Sequence, residues 1–282
     1  MIFVKNNVRK NNIRRNNMMM FFSNRIKRNN IRKKIMFCNN IKYLLSIQKI
    51  NKINKYTAVI VEPRKHAALP FVLENFLKNL SDEWNIIIFH GKLNRDYVNN
   101  IISHKLNNYK DRISTVNLNV NNLTINEYST LFKIKEFYNK IPTETFLVFQ
   151  TDTIIFEKNK DLINNFLKYD YVGAPWGAPV KSMNNFVGNG GLSLRKKSKM
   201  IEIIKKEIDI NNIAEDIYFS SSNKVKLFKP SQQESKLFSV EHMFSTYTFG
   251  SHKPWIIQKH HPEFYTLYPE SKILEKLQFV VR

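Results

Sequence analysis

Asp152 interrupts an apolar run, Phe146-Leu147-Val148-Phe149-Gln150-Thr151-Asp152-Thr153-Ile154-Ile155-Phe156. A run of that length, rich in aromatic and β-branched residues, reads as one strand buried on both faces. A carboxylate in such a strand needs a charge partner or the strand's end, since an unpaired ion in a dry interior is costly. Ligands of parallel sheets sit at the carboxyl ends of strands. Asp152 is therefore a candidate site residue, with Gln150 on the same side two positions earlier. The plainer alternative is a strand that ends in a polar turn.

Three more stretches carry chemistry. Val187-Gly188-Asn189-Gly190-Gly191-Leu192-Ser193-Leu194-Arg195 gathers three of the chain's seven glycines within four positions. Glycine there permits positive φ and close backbone approach to a ligand, so Asn189, Gly190 and Gly191 are candidate loop contacts. Residues 212–222 read as a short helix capped by Asn212. Helical spacing puts Ile213, Asp216, Ile217 and Ser220 on one face and turns Glu215 to the other, so Asp216 is expected to point inward. Phe249-Gly250-Ser251-His252-Lys253-Pro254-Trp255 places an imidazole and a cation between a glycine and a Pro-Trp turn.

Together these residues suggest a phosphate-handling centre. Asp152 and His252, with water and diphosphate oxygens, suit Mg²⁺ or Mn²⁺ better than a soft metal. Such an ion stabilises a departing diphosphate. Lys253 adds charge on the same phosphates, and Asp216 is placed to take the proton of an attacking hydroxyl as general base. Transfer of a sugar from a nucleotide sugar calls on this set. If the reaction were metal-independent, Lys253 or Arg195 would carry the leaving-group charge.

From Tyr56 onward, strand and helix signals alternate, which predicts an α/β sandwich with a mainly parallel sheet. Residues 57–62 are the first strand. A helix follows with Pro70 in its first turn and Val72, Leu73, Phe76, Leu77 and Leu80 on one face. Trp84 to His90 is the next strand, residues 94–107 a helix, and Ile113 to Leu118 a third strand. Asn126 is expected to cap a helix whose Leu131, Ile134, Tyr138 and Ile141 share a face. The Gly-Pro-Trp combination in residues 171–177 reads as a shaped loop, with Trp176 a candidate acceptor contact.

Composition divides the chain. Residues 1–61 hold fifteen Lys or Arg and no acid, so most of the net charge of +22 belongs to the front end. Residues 1–55, low in complexity, are expected to be a disordered basic tail, dispensable for stability; weak polyanion binding ranks second, and a targeting role third, since the Arg-rich, acid-free composition resembles an organelle presequence. Residues 56–282 are expected to form one domain. The apolar stretches around Met18-Met19-Met20 and Ile35 to Ile47 are too short or too interrupted to span a membrane, which suggests a soluble, cytoplasmic protein, in a viral or host-cell setting if the coding genome is viral. One cysteine, Cys38, excludes an internal disulfide, and no Cys/His cluster offers a zinc site.

The run from Thr57 to Trp255 resembles a family of GT-A-type glycosyltransferases long labelled only as a domain of unknown function, found in bacteria, fungi and large DNA viruses. The stretches that carry the likeness are Val59 to Arg64, Phe149 to Thr153, Val172 to Trp176, Gly188 to Arg195, Glu215 to Phe219 and Phe238 to Glu241. The resemblance implies a GT-A-like fold, a nucleotide-diphosphate sugar as donor, with UDP the expected nucleotide, and a glycan, protein or other hydroxyl as acceptor. In GT-A enzymes a D-x-D step ends a central strand and its last Asp binds the metal, which corresponds to Asp152; here Gln150 replaces the first Asp. The donor side would comprise Val61, Glu62 and Arg64, where such folds bind base and ribose, with Gln150, Thr151 and Lys253. The acceptor side would comprise Trp176, Asn189, Gly190, Gly191 and Glu215. The Lys-Pro-Trp ending is similar to that of glycogenin-like transferases, whose histidine precedes the glycine that His252 follows.

Two other classes compete. A sugar nucleotidyltransferase would place a Gly-rich basic loop after the first strand, where Glu62-Pro63-Arg64 stands instead. A non-enzymatic nucleic-acid-binding protein has only the basic front end in its favour. Glycoside hydrolysis also uses paired carboxylates, but requires neither a glycine loop nor a His-Lys pair.

Overall fold

The computed structural model describes residues 29, 31–45, 54–178, 186–209 and 213–280. Its centre is a six-stranded sheet in the order β3-β2-β1-β4-β7-β6, built from β1 (Tyr56–Glu62), β2 (Trp84–His90), β3 (Ile113–Asn117), β4 (Thr145–Phe149), β6 (Tyr171–Gly173) and β7 (Leu192–Lys196). A second sheet, β5-β9-β8, joins β5 (Thr153–Ile155), β8 (Ser239–Val240) and β9 (Gly250–His252). Strands β1 to β4 pair in parallel, while β7 runs antiparallel to both its neighbours, so the sheet is mixed.

Alternation along the strands explains why both faces are covered. In β1, Ala58 and Ile60 join one core and Val59 and Val61 the other; in β2, Ile86 and Ile88 oppose Ile87 and Phe89. Helix α2 (Leu69–Asn79), with α8 (Gln232–Phe238), α9 (Pro254–His260), α10 (Phe264–Leu267) and α11 (Glu270–Gln278), contributes to the first core. The second core takes residues of α4 (Ile125–Phe132), α5 (Lys135–Tyr138), α6 (Lys197–Lys206) and α7 (Glu215–Ser220). Helix α3 (Arg95–Asn100) continues into a π turn and a 3₁₀ stretch that ends at Arg112. No helix among the described residues is long and apolar enough to cross a membrane.

Four local expectations need correction. The run 146–156 is two strands in two different sheets: Thr153 folds back on Gln150, its N–H and hydroxyl both donating to the Gln150 carbonyl at 3.2 and 2.7 Å. The polar step is therefore the turn by which the chain leaves the large sheet. The helix expected to start at Asn126 is capped by Thr124, in a reciprocal capping box with Glu127, and breaks before Lys135. Asn212 lies outside the described residues, and α7 begins at Glu215.

The fourth correction concerns the basic front end. Residues 31–45 form a helix, α1, and Ile41 and Leu45 are each 1% exposed within the second core. Phe37, Cys38, Ile41, Leu44 and Leu45 recur at helical spacing, which gives α1 a face to bury. Lys42 pairs with Glu136 at 3.8 Å. The expectation of an unstructured tail fails for this segment; residues 1–28 lie outside the described residues.

Candidate functional site

The strand order turns around between β1 and β4: the chain adds β2 and β3 on one side of β1, then returns to place β4 on the other. Ligands of open α/β sheets sit outside the carboxyl ends of the strands at such a point. A cleft of about 410 Å³ lies there, lined by Val61, Glu62, Arg64, Gln150, Thr151, Asp152 and Lys253 together with residues 122–125 and Tyr128. All six residues expected on the donor side thus meet Asp152 in one place. Sequence reasoning missed the far wall, Asn122 to Tyr128; its signal was the polar stretch directly after an apolar strand.

Individual contacts fix this lining. The Arg64 guanidinium donates to both carboxylate oxygens of buried Glu62, at 2.8 and 2.7 Å, and Glu62 also accepts from the Arg64 backbone N–H at 2.9 Å. Gln150 donates its amide to the Tyr128 hydroxyl at 2.9 Å and ties the turn to α4. An aspartate could not make that donation.

Behind the cleft, β5 and β9 pair antiparallel with Thr153 opposite His252, which brings Asp152 beside the histidine. His252 is buried with an Asp152 oxygen 3.3 Å from its Nε2 and a Glu241 oxygen 3.1 Å from its Nδ1. Both contacts are at ion-pair distance without aligned hydrogen-bond geometry, and the second Asp152 oxygen, Oδ1, is buried with no partner. Burial pushes the His252 pKa down, but the Asp152 charge and then Glu241 outweigh it and carry the pKa up to about 9. Burial pushes the Asp152 carboxyl up, whereas His252 and Lys253 hold it below its ordinary value. Lys253 lies in the left-handed region (φ 47°), and its N–H donates to the Asp152 carbonyl at 2.8 Å.

These residues fit a hard cation in part. Among the described residues no three His, Cys, Asp or Glu side chains form a metal-holding group. Asp152 and His252 nevertheless present an oxygen and a nitrogen 3.3 Å apart, close to the roughly 3 Å between adjacent ligands of an octahedral ion with bonds near 2.1 Å. The unpartnered Oδ1 is a further donor. A cation there would take the place of the proton His252 otherwise carries, and its remaining ligands would have to come from outside these two side chains.

The glycine loop packs closely against side chains of the site. A Cβ on Gly191 would lie 2.4–2.5 Å from atoms of the His252 ring, and one on Gly190 2.5 Å from a Glu215 oxygen. These glycines allow side chains of the site to pack against the backbone. Asn189 donates to Glu241.

The adjacent carboxylates are reversed relative to the expected helical wheel. Glu215, 4% exposed, grips Arg195 with contacts of 2.6 and 3.0 Å, and Arg195 has no exposed surface. The guanidinium lies 5.0–5.9 Å from the centres of the Phe132, Tyr171 and Phe219 rings. Because α7 starts at Glu215, its buried residues are Glu215, Tyr218, Phe219 and Ser220. Asp216 is only partly buried, accepting from the Gly190 N–H at 3.1 Å. Arg195 is thus committed to Glu215 and unavailable to a leaving group. Trp176 stands apart from the cleft, against Gly188, with its carbonyl accepting from Gln232 at 2.9 Å.

Residues 112–254, just over half of the chain, match the model of a family described as a protein of unknown function, DUF5672. The chain belongs to this family. The matched region of this DUF5672 member holds five of the six stretches on which the glycosyltransferase resemblance rests, all but Val59 to Arg64. No curated protein matches it. Solved structures similar to it include HddC from Yersinia pseudotuberculosis, at 15% identity, 62% coverage of this chain, 88% of the other and a TM-score of 0.40. HddC from the same organism complexed with GMP-PN gives the same identity and coverage with a TM-score of 0.39.

Proposed function

We propose that the protein is a glycosyltransferase that moves a sugar from a nucleotide-diphosphate sugar, UDP-linked as the resemblance implies, to a hydroxyl acceptor. The observation that carries this reading is the convergence of Val61, Glu62, Arg64, Gln150, Thr151 and Lys253 on one cleft with Asp152, whose Oδ1 is buried without a partner. A buried carboxylate oxygen with no donor is costly, and a cation brought with the donor would satisfy it.

Asp152 and His252 would hold Mn²⁺ or Mg²⁺, which when bound neutralises charge on the departing diphosphate. Lys253, 39% exposed along its side chain and on the cleft wall, meets the same phosphates. The mouth formed by Val61 to Arg64 and Asn122 to Tyr128 encloses the nucleoside. Asp216 accepts the proton of the acceptor hydroxyl. The acceptor oxygen bonds to the anomeric carbon as the bond from that carbon to the diphosphate oxygen breaks, and the electron pair leaves on the diphosphate. Glu215 and Arg195 brace α7 and β7 and take no part in the chemistry.

The test is calorimetric titration of Mn²⁺ and of nucleoside diphosphates into the full chain. UDP is expected to bind more tightly with Mn²⁺ present. Asp152→Asn should abolish the Mn²⁺ effect, and Lys253→Ala should weaken UDP while sparing Mn²⁺, because a protonated lysine cannot coordinate. Absence of binding by every nucleoside diphosphate, or binding unchanged in both variants, overturns the reading.

A further inference from the structure

Glu241 has no part in the sequence-derived site beyond its place in a matching stretch, yet four side chains with nitrogen donors gather around its carboxylate. It is 3% exposed and follows the last residue of β8. One of its oxygens faces His252 Nδ1 at 3.1 Å and Lys253 Nζ at 3.9 Å. The other accepts from the Asn189 amide and lies 3.9 Å from His242. The Asn189 amide cannot turn round, because its own oxygen accepts from the Gly191 N–H at 3.1 Å. Gly191 in turn lies against the His252 ring so closely that a Cβ would collide with it. The four residues close a circuit: His252, Glu241, Asn189, Gly191 and back to His252.

We infer that Glu241 is the positioning residue of this centre: its charge, 3.1 Å from His252 Nδ1, holds that edge of the ring and leaves Nε2 to face Asp152. The circuit calls for a group that only accepts. Glu241 meets nitrogen donors at both oxygens, and a glutamine would turn an NH₂ toward either Asn189 or His252, setting donor against donor. A histidine whose second nitrogen is held by a carboxylate has its ring orientation and tautomer fixed, which is how supporting residues tune a ligand. Asn189 does the same one step further back. The circuit also gives the glycine loop a purpose, since it is the rear wall that stops the imidazole from rotating.

This inference rests on the reading of Asp152 and His252 as cation ligands, and the experiment separates the two. Mn²⁺ alone is titrated into the full-length parent, Glu241→Gln and Asn189→Ala, with thermal unfolding recorded for each without metal. Long-range ¹H–¹⁵N spectra at a single alkaline pH report the tautomer of His252. Glu241→Gln is expected to weaken Mn²⁺ binding by about 10- to 100-fold and to convert one His252 tautomer into a mixture, an effect that a purely structural role would not produce. Asn189→Ala should show the same change to a smaller degree, and decides the matter if Glu241→Gln does not fold. Parent-like Mn²⁺ affinity and tautomer in the folded variants overturn the role of Glu241 and leave the cation reading standing. No Mn²⁺ binding by the parent overturns both.

Discussion

Replacing Glu215 by glutamine tests how α7 is anchored. In the parent, two guanidinium nitrogens of Arg195 reach the Glu215 carboxylate at 2.6 and 3.0 Å, and the third, Nε, donates to the Ser193 hydroxyl at 2.9 Å. Glutamine keeps the volume but offers one acceptor and one donor to a group made only of donors, so a cation with no exposed surface loses its counter-charge. Removing one partner of a buried pair costs about 3–5 kcal/mol, a large share of the roughly 5–15 kcal/mol that holds a domain together. For a chain of this size that is a drop of roughly 6–20 °C in melting temperature. Urea and thermal unfolding of Glu215→Gln measure it. The double variant Arg195→Met/Glu215→Leu should be more stable than Glu215→Gln, since neither charge is then stranded. A loss below about 1 kcal/mol for Glu215→Gln, or a double variant that is less stable still, would refute the anchoring role.

Asp216→Asn, one residue along the same helix, should leave the melt within about 0.5 kcal/mol of the parent while turnover of a nucleotide sugar falls about 10²- to 10⁴-fold; equal damage to both properties would deny it the role of base. His252 makes stability depend on pH. With a folded pKa of about 9 against about 6.5 unfolded, its contribution of roughly 3 kcal/mol is complete below pH ~6.5 and is lost as pH rises through ~9. The metal-free parent should therefore lose melting temperature between pH 7 and 10 relative to His252→Gln, and parallel curves would count against the pairing. Ile41→Ala and Leu45→Ala should each destabilise by about 2–4 kcal/mol in denaturant unfolding; a loss under 1 kcal/mol in both would return α1 to the status of a loose tail.

The large sheet was readable because its strands are apolar runs: residues 57–62, 84–90 and 113–118 needed only alternation and length to be found. The lining of the cleft was reached by two routes: Gln150 to Asp152 stand where an apolar run turns polar, whereas Val61 to Arg64 came from the family resemblance alone. Glu215 and Asp216 were misassigned because a six-residue helix has too few turns to fix its own phase, and its partner Arg195 lies twenty residues away on β7. Glu241 left only a faint trace, an acid next to a histidine after an apolar pair in Phe238-Ser239-Val240-Glu241-His242. Helix α1 did carry a helical apolar spacing, hidden by a composition that otherwise marks disorder.

The turn at Gln150 to Asp152 is also a seam between two platforms. Val61 and Glu62 end β1 of the six-stranded sheet and Arg64 follows it, whereas Asp152 adjoins β5, His252 ends β9 and Lys253 follows it, so these three belong with the small sheet. In the proposed reading, a change in the spacing of the two sheets would alter the span from Val61 to Lys253 without separating Asp152 from His252. The pin across the seam is Asn75 of α2, whose side chain takes both backbone groups of Ile155 in β5, at 2.9 and 2.8 Å. A bound nucleotide would lie across the same join. Loosening the pin with Asn75→Ala would therefore act as a detuned caliper, costing affinity for the whole nucleotide while affinity for the bare ion is preserved.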